Sequence, residues 1–369
     1  MKYIWQSDHW PNFTYNLETL LEYLSESRKE QGAVNKLGAF LELHTEEELL
    51  LQEALNTSAI EGETLNTDEV RSSIAYSLGL PRGGLPSNHH RYEGLVEMLI
   101  DATRNYDNPL TDEKLYSWHV ALFPGGHSNL HKITVGAYRS GKTPMDVVSG
   151  PPGKEKTYYS APPSSHIQTE MNQFNKWWES SRGRLDGLIR AAYAHLYFVS
   201  IHPFEDGNGR IARALTDMAL AQDEKSGKRL YSLSAQIHTD RLDYYEILEK
   251  TQKGSGDITE WVIWFLNTFI RSLKSSVEMI EFTLLRNKFR QNIIDKKMNS
   301  RESKVINKMI DLLPVDYKGG MTNKKYVQIA KTSPATAKRD LQELVISKVL
   351  IPQGGGRSIS YQLNRKMLE

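Results

Sequence analysis

Cysteine is absent from the 369 residues. Disulfides, thiolate nucleophiles, CxxC redox pairs and zinc sites with cysteine ligands are therefore excluded. Long apolar runs are absent as well. Stretches such as Trp261–Leu266 and Ala191–Ile201 fall far short of a membrane span of about 20 residues. The N-terminus, with Trp5, Asp8 and Trp10, lacks the basic and apolar regions of a signal peptide. A cytoplasmic chain with no membrane partner is the expectation. Neither sign of charge dominates: 46 basic and 45 acidic residues leave a net charge of +1, so no global field points to nucleic acid. The balance is uneven along the chain, because residues 301–369 alone carry 13 Lys/Arg against 6 Asp/Glu. What remains is ordinary globular material, 39% hydrophobic and 25% charged. It is enough for a sizeable core and two or three domains, and it rules out disorder as the main state.

Helical patterning dominates. Phe13–Leu24 and Lys36–Leu43 read as short amphipathic helices. Glu46–Ile60 is stronger, with Leu49, Leu50, Leu55 and Ile60 near helical spacing, three Glu in its first turn and Gly62 as its stop. Thr67–Leu78, Arg91–Arg104, Thr111–Leu122, Ser164–Ser180, Gly187–Ile201, Ile211–Gln222, Asp240–Gln252, Ile258–Arg271 and Ser275–Arg290 continue the pattern, with a loop at Gly79–Asn88. The β-prone runs Asp146–Ser149 and Lys156–Tyr159 flank GPPGKE and read as a hairpin on this helical body. From about residue 300 the pattern changes. A helix at Ser303–Leu313 is followed by a helix-turn-helix (Asn323–Ala330, then Pro334–Ser347) and two strands, Val349–Pro352 and Ile359–Leu363, around QGGGRS.

The stretch that carries chemistry is His202-Pro203-Phe204-Glu205-Asp206-Gly207-Asn208-Gly209-Arg210-Ile211-Ala212-Arg213. Pro203 keeps His202 out of the helical region, so the imidazole sits where the preceding helix ends. Asp-Gly-Asn-Gly permits positive φ and can turn several amides into one concavity. A helix starts at once, and its free amides and dipole make an anion site. Arg210 and Arg213 lie in that first turn, three apart, where cations are the wrong sign for the dipole. A polyphosphate partner removes the conflict. Asp206 is then an oxygen ligand suited to Mg2+ beside phosphates. His202 is a base with an ordinary pKa near neutrality.

The stretch resembles the signature of the Fic family, HxFx(D/E)GNGRxxR, at every defined position. The family's expected extent is about residues 90 to 285, including Gly136-Ala137-Tyr138-Arg139 before the hairpin. The resemblance implies a mainly α fold and transfer of AMP from ATP to a Ser, Thr or Tyr hydroxyl of a target protein, self-modification included. It implies that His202 takes the hydroxyl proton and that Asp206 holds Mg2+. It also implies that Glu205, Asp206, Gly207, Asn208, Gly209, Arg210 and Arg213 form the phosphate site, with Asn208 and the Gly207 and Gly209 amides on the α- and β-phosphates. Glu205 itself is expected to point away from the metal. Relatives of the Doc type, which transfer phosphate, have Lys where this chain has Gly209, so AMP transfer is favoured.

Thr57-Ser58-Ala59-Ile60-Glu61-Gly62 resembles the family's inhibitory motif (S/T)xxxE(G/N). Its place upstream of the core resembles the class with an N-terminal inhibitory helix. Glu61 is an acid at a helix C-terminus, where the dipole disfavours it. Taken alone it reads as a surface Glu before a Gly cap. Beside two uncompensated arginines, a Glu61–Arg213 pair at the γ-phosphate position is the sharper expectation. In some relatives this Glu positions water for removal of AMP, so the direction of reaction stays open. The hairpin resembles one that holds a target segment by strand addition, or it is structural. Tyr245 falls where relatives place an aromatic on the adenine, with core packing as the alternative. Gln252 stands where some relatives have Asn. Trp5-Gln6 and Trp10-Pro11-Phe13 resemble a small helical module that precedes this core.

The C-terminal segment resembles a winged helix, with Lys338 and Arg339 on its second helix and Arg357 on the wing. DNA binding, a homodimer contact and a protein contact are its open roles. The expected division is an N-terminal helical module over 1–85, containing the inhibitory helix at about 46–61, a catalytic core over 86–298 and a winged helix-turn-helix over 299–369. A DNA-binding regulator with a nucleotide-sensing core is the competing reading. Sensing needs the phosphate cradle but not a base beside a metal.

Overall fold

The computed structural model describes residues 3–38, 43–80, 92–128, 131–141, 145–149 and 156–368. Two compact units result, Met1–Ser276 and Val277–Glu369.

The first unit is helical. Its elements are α1 (Leu17–Gly38), α2 (Leu43–Ile60), α3 (Thr67–Leu78), α4 (Glu93–Arg104), α5 (Asp112–Leu122), α6 (Ile167–Ser181), α7 (Gly187–Ile201), α8 (Asn208–Glu224), α9 (Leu233–Thr239), α10 (Arg241–Gln252) and the start of α11 (Thr259–Asn292). The core is built around α7, in which every residue from Leu188 to Ile201 is buried. Asp186 caps its first amides. Helix α8 packs along α7, and α2 lies against α3, α4, α8 and α9. That packing brings the end of α2 to the start of α8.

Antiparallel strands β1 (His127–Ser128) and β2 (His131–Lys132) form one small pair. Strands β3 (Asp146–Ser149) and β4 (Lys156–Ser160) form the expected hairpin, with a register shift between Val147 and Val148. The GPPGKE turn and most of the Gly79–Asn88 loop lie outside the described residues.

Two expectations fail in the same way. The reading of two helices at Phe13–Leu24 and Lys36–Leu43 gives way to α1, which starts after the Asn16 side chain accepts from Thr19 N–H at 3.2 Å and continues to Gly38. The reading of Ile258–Arg271 and Ser275–Arg290 as separate helices gives way to α11, because no Gly or Pro interrupts residues 259–292. Polar residues between the expected pieces, Ser27, Gln31 and Ser272 among them, are buried, so the continuous helices pack there as well. Short α9 and the β1–β2 pair escape the sequence reading altogether.

The second unit holds the end of α11, then α12 (Ser300–Ile310), α13 (Asn323–Ala330), α14 (Pro334–Ile346), β5 (Leu350–Gln353) and β6 (Ser360–Leu363). Strands β5 and β6 pair antiparallel, and Met321 bridges to Tyr361. Phe289 and Ile293 belong to its core, with Val305, Tyr326, Leu341 and Leu363 among the others. This unit begins at Val277, within α11, and residues 3–80 lie in the same compact unit as the catalytic motif.

Candidate active site at the α7–α8 turn

His202 ends α7 in the left-handed conformation, φ 53° and ψ 58°, with its N–H on the Phe198 carbonyl at 3.0 Å. This conformation is costly for a side chain with a Cβ, and such positions cluster at functional sites. Its Nδ1 lies 3.2 Å from the Val199 carbonyl. A carbonyl only accepts, so Nδ1 carries the proton and Nε2 keeps a lone pair. Burial lowers the imidazole pKa to about 4; the Val199 hydrogen bond opposes this and Arg139 reinforces it. His202 is thus a neutral base at pH 7.

The turn is held from two sides. Arg139 Nε donates to the His202 carbonyl at 2.7 Å. His119 Nε2 lies 3.2 Å from the Asp206 carbonyl, and its Nδ1 accepts from Gly136 N–H at 3.3 Å. That pairing fixes the His119 tautomer with the proton on Nε2. Its ring stacks on Phe204 at 4.2 Å. Gly207 takes φ 80°, and a Cβ there would press on the Phe123 ring at 2.8 Å.

The acids of the motif separate. Asp206 accepts from Gly207 N–H at 2.6 Å and from the Ser128 hydroxyl. Glu205 accepts from Thr134 N–H at 2.9 Å and Thr134 Oγ1 at 3.0 Å. It anchors the segment after β2. The Asn208 Oδ1 accepts from Phe204 N–H at 2.9 Å and its Nδ2 donates to the Phe204 carbonyl at 2.8 Å. The carboxamide locks the turn ahead of the backbone amides that open α8.

Both motif arginines are buried and paired with acids from the end of α2. Arg213 donates from Nε to Thr57 Oγ1 at 2.7 Å, and from Nη2 to the Thr57 carbonyl and to Glu61 Oε1, each at 2.8 Å. Burial works against its charge, but Glu61 raises its pKa on balance. Arg210 pairs with Glu63 at 3.1 Å and lies over the Phe123 ring. The sequence reading missed Glu63, although its spacing two residues beyond Glu61 was visible. Gly62, with φ 85°, closes α2 and lets the chain turn so that both acids reach α8. A Cβ on Gly209 would overlap Glu61 Oε1 and come within 3.2 Å of Arg213 Nη1. The room that glycine leaves at this anion site is taken by a carboxylate. Arg213 Nη1 and Arg210 Nε are buried without a hydrogen-bond partner among the described residues. Unused donors beside a helix N-terminus are what an incoming anion would engage.

Residues 109–220 match the family described as Fic/DOC family, and residues 3–80 match one described as Domain of unknown function (DUF4172). The Fic/DOC match contains the whole motif from His202 to Arg213. A protein adenylyltransferase Fic of Nematostella vectensis is 30% identical over 219 residues, covering 58% of this chain and 46% of that one. A uridine 5'-monophosphate transferase of Xanthomonas campestris is 30% identical over 118 residues, covering 30% of this chain and 21% of the relative. The chain thus spans less than half the length of these relatives. A crystal structure of a Fic family protein from Desulfovibrio desulfuricans G20 superposes with a TM-score of 0.59 at 19% identity, covering 96% of this chain and 98% of that one. The helical architecture is that of the Fic fold.

Tyr245 donates its hydroxyl to the Ile60 carbonyl at 3.0 Å, and Arg241 lies over its ring. The candidate adenine platform is thus tied to the end of α2. Tyr244 is core, bonded to His195 Nε2 at 2.9 Å. Gln252 is buried, with its Nε2 3.2 Å from Ser200 Oγ, so its amide serves the core. Trp10 and Phe13 pack on Tyr197, as core aromatics do.

Proposed function

We propose that this chain is a protein adenylyltransferase that moves AMP from ATP to a Ser, Thr or Tyr hydroxyl, itself included as a target, and that Glu61 holds it in check. The observation that carries the reading is a neutral His202 with Nε2 free, next to an α8 N-terminus flanked by two buried arginines with unused donors. Nε2 accepts the target's hydroxyl proton as the oxygen bonds to the α-phosphorus. The bond from the α-phosphorus to the α,β-bridging oxygen breaks, and the β- and γ-phosphates leave together as pyrophosphate held by Arg210 and Arg213. Asp206 fits Mg2+, since one carboxylate plus phosphate oxygens is the donor set this ion prefers. When bound, the ion neutralises charge on the phosphates.

Glu61 occupies the space over Gly209 and pairs with Arg213, so a triphosphate must share its γ-phosphate site with a carboxylate. Its Oε2 makes no hydrogen bond among the described residues, which favours a second reading, positioning of water for removal of AMP. The hairpin's two strands support strand addition by the target. We place the protein in the cytoplasm; among the described residues no helix is long and apolar enough to cross a membrane.

For the second unit we propose a winged helix that binds DNA through α14. Lys338 and Arg339 are exposed there, and neither has an ion pair among the described residues. Arg357 on the wing completes the proposal from sequence. A homodimer contact is the alternative outcome.

The test of the main reading is incubation of the Glu61→Gly protein with labelled ATP and host lysate, then mass spectrometry of labelled bands. A mass gain of one AMP on a hydroxyl side chain is expected. Labelling from UTP instead of ATP, or none, contradicts it.

A further inference from the structure

The end of α7 leaves carbonyls with no helical donor, and their partners form an unbroken series. Val199 accepts from His202 Nδ1 at 3.2 Å and Ser200 from the Tyr159 hydroxyl of β4 at 2.6 Å. Ile201 accepts from Arg139 Nη2 at 3.4 Å, His202 from Arg139 Nε at 2.7 Å and Pro203 from the Arg139 N–H at 2.9 Å. One residue, Arg139, thus takes three successive carbonyls around His202. Its Nη2 also donates to the Pro162 carbonyl at 2.6 Å, two residues past the end of β4. Arg139 is only 5% exposed and forms no ion pair with a carboxylate among the described residues. A buried cation without an acid is expensive unless its donors are all used and its charge is wanted. Here it sits at the negative end of the α7 dipole, where a cation is stabilised.

We propose that Arg139 is the positioning residue that holds His202 in its left-handed conformation and couples it to the base of the β3–β4 hairpin. The function of the residue follows from its contacts. His202 needs φ 53° to carry its ring past the end of α7, and nothing in its own side chain enforces this. The planar guanidinium fixes two carbonyls on either side of that angle at once, which a lysine cannot reproduce in full. Loss of the bracket lets His202 relax towards ordinary dihedrals and moves Nε2 from its line to the hydroxyl. Burial and the Arg139 charge both hold the ring neutral, so removal of the cation also frees the ring to protonate. His119, Asp206, Glu61 and Arg139 are the titratable or charged groups that bear on this turn.

The inference rests on the adenylyltransferase reading, and the experiment separates the two. Arg139→Gln and Arg139→Lys are made in the Glu61→Gly protein and compared for kcat, KM for ATP, and the His202 ring resonances by NMR. Arg139→Gln is expected to lower kcat by on the order of 10²-fold with KM for ATP within about twofold. Arg139→Lys is expected to recover part of the loss. The His202 resonances are expected to lose the signature of a proton fixed on Nδ1 in the glutamine variant and keep it in the lysine variant. If Glu61→Gly transfers no AMP, the reading of function fails, yet the resonances still judge Arg139. Unchanged His202 resonances in Arg139→Gln, or full kcat, overturn the proposal. If the glutamine variant does not fold, the lysine variant serves alone, and a kcat equal to that of Glu61→Gly overturns it.

Discussion

The Glu61 carboxylate lies 2.8 Å from Arg213 Nη2, over the backbone of Gly209. An acid placed unfavourably at the end of α2 and a cation placed unfavourably at the start of α8 cancel each other's fault. The side chain of Arg213 is 2% exposed and that of Glu61 33%. The pair can therefore open from the Glu61 side while Arg213 remains in place for phosphate.

Glu63 should act as a second, weaker restraint. Its side chain is 39% exposed where that of Arg210 is 6%, so the pair contributes modestly. Glu63→Ala in the Glu61→Gly background is expected to lower KM for ATP by about twofold to fivefold, with little change in kcat. Initial rates over an ATP series check this; an unchanged KM means Arg210 does not hold phosphate.

His202→Ala in the same background is expected to reduce transfer by about 10²–10⁴-fold and to leave ATP affinity nearly intact. The pH dependence follows from the His202 pKa of about 4, below its ordinary 6.5. The folded chain resists a proton that the unfolded chain takes up between those values, so the base stays neutral well below pH 6. On the account of His202 the rate should be flat from pH 8 to 6 and fall only towards pH 4. A fall centred at pH 6.5 would mean that the ring is solvated.

The two motif acids should separate by function. Asp206→Ala is expected to abolish Mg2+-dependent transfer, whereas Glu205→Ala, which loses only the Thr134 anchor, retains measurable transfer with the same Mg2+ dependence. Labelling at a series of Mg2+ concentrations compares them. The reverse ranking would reassign the ligand.

DNA binding by α14 is tested with the full chain in mobility shifts at several salt concentrations. Lys338→Ala/Arg339→Ala is expected to weaken binding and to lower the salt slope by about one to two. Absence of binding by the unmutated chain at low salt contradicts the proposal and leaves the dimer contact.

The motif from His202 to Arg213 was legible in sequence because its chemistry is local: a helix end, a glycine turn and a helix start carry most of it. The α2 acids were half legible. Glu61 stood out as a charge at the wrong end of a helix, but Glu63 follows the stop and violates no local rule. The roles of Arg139 and His119 were not legible, since their partners lie 63 and 87 residues away and are backbone carbonyls, which no residue pattern marks. The Asn208 contact was not legible for a related reason: its carboxamide pairs with the backbone of Phe204, four residues earlier, across a turn whose shape the sequence does not give. Helices α1 and α11 were read as two pieces each because polar residues such as Ser27, Gln31 and Ser272, which the fold buries, look like breaks when the burying neighbour is unknown.

The most direct measurement is self-labelling by wild type, Glu61→Gly and Arg213→Ala at equal ATP. Removal of the carboxylate over Gly209 should let the triphosphate align, and misalignment of this kind costs on the order of 10²-fold in rate. Glu61→Gly is therefore expected to label far faster than wild type, and Arg213→Ala is not, because that arginine serves the lock and the substrate alike. Equal rates for wild type and Glu61→Gly would show that Glu61 is a surface residue and that the pair with Arg213 regulates nothing.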